Sequence, residues 1–185
     1  MGWLDALFGR SKPVKPNLDA LFALPSAAVT LQAATGLEPT GLGSVAFRAA
    51  EGGAFAAVER DVKALLGDRV EDSDDDYGYT WLQVRRPPDD LSDLVTELHA
   101  VNSSLEGAGF GPSLLCSLAS FADPEGRRLA IVYLYKRGTF YPFAPLPGQR
   151  RDNALELQVR GVLSTELPLE EDLGRWFPVW GAPGL

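Results

Sequence analysis

The chain has 185 residues, of which 45% are hydrophobic, so it can bury one core of ordinary size as a single domain with short extensions. Its formal net charge of −8 argues against sequence-independent binding to DNA or RNA, which depends on many basic residues that neutralise phosphates. We therefore expect no nucleic-acid partner.

A single cysteine, Cys116, lies in the apolar run "SLLCSLASF" and cannot form an internal disulfide. This favours a cytoplasmic protein in which Cys116 is a small core residue. No apolar run approaches the roughly 20 residues of a membrane-spanning helix, and the first residues lack the long apolar region of a secretory signal.

Residues 2–10 place Trp3, Leu4, Leu7 and Phe8 at helical spacing, which predicts a short amphipathic helix, and "SKPVKP" follows as an extended linker. Such a helix is marginal alone and must dock on its own domain, on a partner or on a membrane surface. We treat residues 1–15 as this helix and linker and residues 16–185 as one domain. The candidate membrane contacts are Trp3, Leu7, Phe8, Lys12 and Lys15.

The next elements follow from apolar periodicity and from glycine and proline punctuation. Pro25 divides an N-terminal helical region that ends at Gly36. A strand is predicted at 43–49, a helix at 55–66, a strand at 77–86 after an acidic hairpin tip, and a long helix at 91–105.

The C-terminal half contains the clearest hairpin signal, because "SLLCSLASF" and "RRLAIVYLY" flank the turn "ADPEG". A helix is predicted at about 151–163 and a short acidic helix around 169–173. This order of elements predicts an α+β fold, with a mostly antiparallel sheet covered by helices.

Three patterns that could carry chemistry do not match the sites that they suggest. The lone histidine, His99, has no second imidazole or cysteine beside it and reads as a boundary or surface residue. The acidic run "EDSDDDYG" lacks the glycine at position six and the glutamate at position twelve of a calcium loop, which leaves a solvated tip or a weak cation site. The glycines in "GAGFGP" follow a helix and precede a strand, whereas a dinucleotide-binding loop follows a strand and precedes a helix. We therefore assign no catalytic, cofactor-binding or metal-binding residue.

The stretch "YLYKRGTFYPFAP" is the strongest candidate for an interaction surface. If Leu134 faces the core with Val132, Tyr133 and Tyr135 share the opposite face, and the two prolines confine "FYPFAP" to an edge or extended segment. Residues 127–160 also hold seven basic residues against two acidic ones, whereas 68–76 hold six carboxylates against one arginine. The candidate surface comprises Tyr133, Tyr135, Lys136, Arg137, Tyr141, Arg150, Arg151, Trp176 and Trp180.

Several strings together resemble the actinobacterial PspA-associated protein family called PspAB. They include "NLDALFALPSAAVTLQAATG", "DDYGYTWLQVRR", "LYKRGTFYPFAP", "RRDNALELQVR" and "DLGRWFPVWGAPGL", and the resemblance runs over the whole chain. These strings identify relatives and contain no portable catalytic motif.

The resemblance implies a small cytoplasmic protein of the phage-shock envelope-stress response, with a PspA-like protein or an HtpX-type membrane protease as its partner. On this basis we expect a non-enzymatic adaptor that acts by protein–protein interaction. Two alternatives stay open: a membrane-surface sensor at the inner face of the membrane that uses residues 1–15, and an enzyme or ligand-binding protein with an unrecognised site.

Overall fold

The computed structural model describes residues 16–185. The predicted N-terminal helix and its candidate membrane contacts Trp3, Leu7, Phe8, Lys12 and Lys15 lie outside this range. The described part is an α+β domain built from four α-helices and a six-stranded antiparallel sheet, as the order of elements predicts.

The elements follow one another with short connections. The helices are α1 Leu24–Thr35, α2 Gly53–Leu66, α3 Leu91–Gly107 and α4 Asn153–Leu163. The strands are β1 Glu38–Phe47, β2 Val70–Asp74, β3 Thr80–Arg85, β4 Leu114–Ala122, β5 Arg128–Leu134, β6 Thr139–Phe143, β7 Pro145–Leu146 and β8 Arg150–Arg151. Short 3₁₀ turns occur at Leu18–Ala23, Gly67–Arg69, Gly111–Ser113 and Leu173–Arg175.

The sheet has the strand order β2-β3-β1-β4-β5-β6, and every pairing within it is antiparallel. The strand β6 contains Pro142 and lies at one edge, where a residue without a backbone N–H costs no ladder hydrogen bond on its outer side. The predicted edge position of "FYPFAP" is therefore confirmed.

One face of the sheet packs against the helices. The long helix α3 buries its apolar stripe there, including Leu94, Leu98 and Val101. Its buried Asn102 donates hydrogen bonds of 2.8 Å to the hydroxyl of Ser117 and to the carbonyl of Leu98, so this polar group does not remain unpaired in the core.

The opposite face of the sheet is covered by residues 176–185, which we call the C-terminal segment. Trp176 and Ala182 are buried there against Leu118, Val132 and other side chains of the central strands. The sheet therefore has two buried faces, with helices on one side and an extended segment on the other.

In the part of the chain that the structure describes, Leu18–Thr35 has the length and composition of a membrane span, with a mean hydropathy of 1.2. A core helix meets the same criterion, and Leu21, Leu24 and Leu31 of this region pack in the main core.

Candidate functional site

Four aromatic side chains of the predicted interaction surface are buried. Tyr133 and Tyr135 lie in the helix-side core, whereas Tyr141 packs on the other face of the sheet against the C-terminal segment, whose first residue is Trp176. The predicted alternation is correct, and these four rings form no exposed patch because both faces of the sheet are covered.

The basic residues of the predicted surface do not form one field either. Lys136 and Arg137 precede β6, while Arg150 and Arg151 follow it, so the two pairs lie at opposite ends of the strand. Two of the four side chains are engaged by buried carboxylates: Arg137 Nε lies 3.0 Å from Glu170 Oε2, and Arg151 Nε lies 2.8 Å from Glu156 Oε1. Lys136 and Arg150 are exposed.

The buried carboxylate of Glu170 orders the connection to the C-terminal segment. Burial alone would raise its pKa, but hydrogen bonds from Arg137 and Thr139 outweigh burial and hold the pKa below the ordinary value. The backbone carbonyl of Glu170 accepts a 3.0 Å hydrogen bond from Trp176 Nε1. The predicted acidic helix at 169–173 is absent, since Leu169 instead pairs with Phe140 and only Leu173–Arg175 forms a helical turn.

A pocket of about 460 Å³ opens on the face that the C-terminal segment covers. We call it the aromatic pocket. One wall is the β2–β3 hairpin, the other wall is the C-terminal segment, and the floor consists of β4, β5 and β6. Its principal lining residues are Tyr77, Tyr79, Trp81, Cys116, Leu134, Tyr141, Phe177 and Trp180.

The hairpin wall is positioned by Asp75. Its Oδ1 accepts hydrogen bonds of 2.9 Å from the backbone N–H groups of Tyr77 and Tyr79, and its Oδ2 accepts one of 2.9 Å from Trp81 Nε1. Burial alone would raise the pKa of Asp75, but these hydrogen bonds hold it below the usual value. The carboxylate is thereby committed to holding three aromatic residues in place.

The opposite wall is held by the C-terminal segment. Tyr141 Oη donates a 2.7 Å hydrogen bond to the carbonyl of Phe177, and the rings of Phe143 and Trp180 meet edge to face with centroids 4.9 Å apart. Arg151 Nη1 also donates to the carbonyl of Trp176. Two residues of the predicted surface therefore line the aromatic pocket. Tyr141 is part of its floor, and Trp180 is part of its wall.

The sequence predicted the hairpin but not its role as a wall of the aromatic pocket. The run before Tyr77 is a solvated hairpin tip, as predicted, but the carboxylate of Asp75 also accepts the hydrogen bonds that hold three aromatic residues. A usable signal existed, since Asp75, Tyr77, Tyr79 and Trp81 follow one another at intervals of two, which is the spacing of one strand face.

The chemistry of the aromatic pocket is that of a binding site for an apolar group. Burial raises the pKa of the Cys116 thiol to about 12, and the nearby charge of Asp75 adds to this effect, so the thiol stays protonated near neutral pH. Burial also raises the pKa of the Tyr141 hydroxyl. The side chains that remain accessible are aromatic and aliphatic.

His99 lies on the helical side, remote from the aromatic pocket. Its Nε2 lies 3.0 Å from Asp19 Oδ1, its Nδ1 lies 3.2 Å from Ser103 Oγ, and its ring packs against Phe22. It is a partly exposed boundary residue, as predicted. Within residues 16–185, no three His, Cys, Asp or Glu side chains are grouped as a metal site would require.

The sequence matches the model of the family described as PspA associated protein B (PspAB) over residues 1–184. Neither a curated protein nor a solved structure gives a significant match. The family match covers essentially all of the chain, which therefore belongs to the PspAB family.

Proposed function

We propose that this protein is a non-enzymatic adaptor that binds a PspA-related protein through the aromatic pocket. The family name supports a PspA-linked role. The observation that carries the proposal is the pocket itself, which is large enough for one or two apolar side chains of a partner and is framed by aromatic residues.

The mouth of the pocket supports a protein partner. Tyr77 is 74% exposed and Phe177 is 55% exposed, and they line the pocket on its two walls, one on each. Exposed aromatic rings beside a preformed pocket are typical of interface anchors, because they bury a large apolar area at a small cost in side-chain entropy.

Charge further restricts the partner. Residues 68–76, which lead into the hairpin wall, hold six carboxylates against one arginine. Lys63 and Arg85 pair with two of the six, Asp72 and Glu71, and an acidic excess is left. This field favours a partner segment that carries basic residues next to its apolar side chains and disfavours an acidic one.

The two ionisable groups in the pocket, Asp75 and Cys116, favour binding over catalysis. Asp75 already accepts three hydrogen bonds, and Cys116 is a buried thiol with a raised pKa. A reaction needs a positioned acid, base or nucleophile, and these two groups are poorly suited to such roles.

The test is a binding assay with a purified PspA-related protein from the same organism. We expect the double variant Tyr77→Ser/Phe177→Ser to weaken binding by about tenfold or more, since interface aromatics often contribute more than 1 kcal/mol each. Both rings are exposed by more than half, so folding should be preserved. Wild-type affinity in this variant would exclude the aromatic pocket as the binding site.

Two controls match this variant. Leu65→Ser/Leu157→Ser removes two other exposed side chains, 66% and 51% exposed, from helices α2 and α4 and should leave binding unchanged. Lys136→Glu/Arg150→Glu tests the basic residues predicted as a surface. If only this charge-reversed variant lost binding, the partner would dock on the β6 edge instead.

We also propose an HtpX-type membrane protease as a second partner, on the basis of the family resemblance. Peripheral membrane contact is a separate proposal that rests on the sequence of residues 1–15. We expect the protein in the cytoplasm. Sedimentation with anionic liposomes, comparing the wild type with Trp3→Ser/Phe8→Ser, checks the membrane contact, and equal sedimentation would remove it.

A further inference from the structure

We infer that an extended segment of the partner adds as an antiparallel strand to the outer edge of β2, with basic side chains opposite Asp72 and Asp74. The identity of the partner rests on the proposed function, and the inference adds how its chain is bound next to the aromatic pocket. The edge itself can be tested without that partner.

The two edges of the six-stranded sheet differ in how they are covered. At the β6 edge, Phe140 N donates a 2.8 Å hydrogen bond to the Pro168 carbonyl, and Glu170 N donates one of 2.7 Å to the Phe140 carbonyl. Within residues 16–185, no backbone hydrogen bond reaches the outer side of β2. In the described part of the chain, the sheet therefore has one covered edge and one open edge.

The ladder between β2 and β3 shows which backbone groups lie on the open edge. Asp75 N donates a 2.9 Å hydrogen bond to the Tyr79 carbonyl at the turn, and every second residue of β2 before it occupies the same kind of bonded position. Bonded and non-bonded pairs alternate in an antiparallel ladder, so the N–H and C=O groups of Asp72 and Asp74 point away from β3. These four groups would bond to an added strand.

The side chains at this edge favour a particular sequence in the added strand. Residues 71–74 are all exposed. Asp72 and Asp74 lie on the helical side of the sheet, where Lys63 Nζ is 3.1 Å from Asp72 Oδ2. Ser73 lies on the side of the aromatic pocket. Directly opposite residues share a face, so basic residues fit opposite the two aspartates and an apolar residue fits opposite Ser73.

The charge of β2 disfavours a second copy of this chain as the added strand. Val70–Asp74 contains three carboxylates and no basic residue. Pairing two β2 strands would place like charges opposite one another, which is destabilising. Charged side chains are a usual protection of native edge strands against pairing with themselves. The same charges attract a basic strand, so charge complementarity favours the partner as the occupant.

The open edge is continuous with the aromatic pocket. Asp75 and Tyr77 follow β2 directly, and both line the pocket. β2 is five residues long. A strand beside it covers roughly 17 Å, so a segment only a few residues longer would place an apolar side chain at the mouth of the pocket. One extended segment of the partner can therefore contact both the carboxylates and the pocket.

A synthetic peptide with alternating basic and apolar residues, acetyl-Lys-Val-Lys-Val-Lys-amide, tests the edge directly. Nuclear magnetic resonance of the full-length protein follows the amide hydrogens of Asp72 and Asp74, which should exchange rapidly in the free protein because they point to solvent. We expect millimolar binding, and exchange at both positions about tenfold slower when the peptide is at about ten times its dissociation constant. Absence of binding at millimolar peptide would overturn the inference.

Two methylated peptides are the matched controls. Methylation of the lysine backbone nitrogens removes the N–H groups that would bond to Asp72 and Asp74, whereas methylation of the valine nitrogens leaves those groups intact. We expect the first peptide to bind at least about tenfold more weakly than the second, because several backbone hydrogen bonds are lost. Equal binding of the two would mean that the peptide does not add as a strand. Slow exchange of both amides in the free protein would also overturn the inference, and dependence of that exchange on protein concentration would indicate a second copy.

A pair of variants tests the edge with the PspA-related protein. Asp72→Pro removes a carboxylate and an outward N–H, whereas Asp72→Ala removes the same carboxylate and keeps the N–H. Proline is tolerated on the outer side of an edge strand, so both variants should fold. We expect Asp72→Pro to bind about fivefold more weakly than Asp72→Ala, the effect of one hydrogen bond.

The two experiments separate this inference from the proposed function. Equal affinity of Asp72→Pro and Asp72→Ala for a PspA-related protein that binds the wild type would exclude the open edge as its site and leave the adaptor function standing. Binding of the peptide without binding of the PspA-related protein would do the reverse, since the edge would accept a basic strand and the proposed partner would be wrong.

Discussion

The hydroxyl group of Tyr141 donates a 2.7 Å hydrogen bond to the backbone carbonyl of Phe177, which joins the edge strand β6 to the C-terminal segment. Tyr141 is buried, and its ring stacks on Trp176 with centroids 6.2 Å apart. This contact sets the distance between the floor and one wall of the aromatic pocket, so its loss should be felt at the site as well as in stability.

Replacing Tyr141 by Phe should lower the free energy of unfolding by about 1 kcal/mol, the usual net value of one hydrogen bond. Amide hydrogen exchange of residues 176–182 should accelerate because the segment loses an anchor. The matched control is Tyr133→Phe, whose hydroxyl bonds to Asn17 on the opposite face. It should cost at least as much stability, since two hydrogen bonds are lost, without faster exchange in the C-terminal segment. Unchanged exchange in Tyr141→Phe would contradict the anchoring role.

Replacing Asp75 by Asn should destabilise the hairpin wall by about 1–2 kcal/mol at pH 7, because a charged acceptor of three hydrogen bonds is lost. The folded-state pKa of Asp75 is lowered from 3.8, so its contribution is present above that pH and is lost as the pH falls through the folded pKa. The difference between wild type and variant should therefore shrink in acid.

Denaturant unfolding at pH 7 and near pH 3 measures this difference. Asp76→Asn is the control, since this neighbouring side chain is exposed, and it should leave stability unchanged at both values. A destabilisation by Asp75→Asn that stayed constant down to strongly acidic pH would show that the charge of Asp75 is not what holds the turn.

The fold could be predicted further than the site. The alternation around Leu134 and the edge position enforced by Pro142 are local properties of the chain, and both are confirmed. Whether Tyr141 is exposed or buried depends instead on what covers the second face of the sheet. That cover comes from Trp176 and its neighbours, about 35 residues later, and a strand period carries no information about it.

The strand β2 was not predicted, for a related reason. Four of the five side chains in Val70–Asp74 are exposed, so β2 lacks the apolar alternation that marks a half-buried strand. It is a strand because it pairs with β3, from Val70 opposite Val84 to Asp74 opposite Thr80. An edge strand that is held by backbone hydrogen bonds to its neighbouring strand needs no apolar pattern, so its sequence gives little sign of a strand.

Replacing Gly41 by Ala should destabilise the fold by more than about 2 kcal/mol. Gly41 has a φ of +83° at the irregularity of β1, and a Cβ there would lie 2.0 Å from the carbonyl oxygen of Arg86. The backbone cannot yield easily, since Arg86 N donates a 2.8 Å hydrogen bond to the Gly41 carbonyl.

The control for Gly41→Ala is Gly161→Ala in α4, where no atom lies within 4 Å of the added Cβ. That substitution should stabilise by about 0.5–1 kcal/mol, because alanine loses less backbone entropy in a helix. Thermal unfolding of both variants checks the pair, and a neutral Gly41→Ala would show that β1 can straighten at this point.

The thiol of Cys116 should react with a disulfide reagent about a thousandfold more slowly in the native protein than in denaturant. Its pKa of about 12, against about 8.5 for a free cysteine, lowers the thiolate fraction at pH 8 by about three orders of magnitude, and its burial restricts access further.

The matched control places a thiol at an exposed position, Thr165→Cys combined with Cys116→Ala, and should react rapidly without denaturant. Because Cys116 forms part of the floor of the aromatic pocket, its reactivity also reports on the closure of the pocket. A native rate close to that of the control would mean that the C-terminal segment leaves the sheet often enough to expose the floor, and Tyr141→Phe should then raise the rate further.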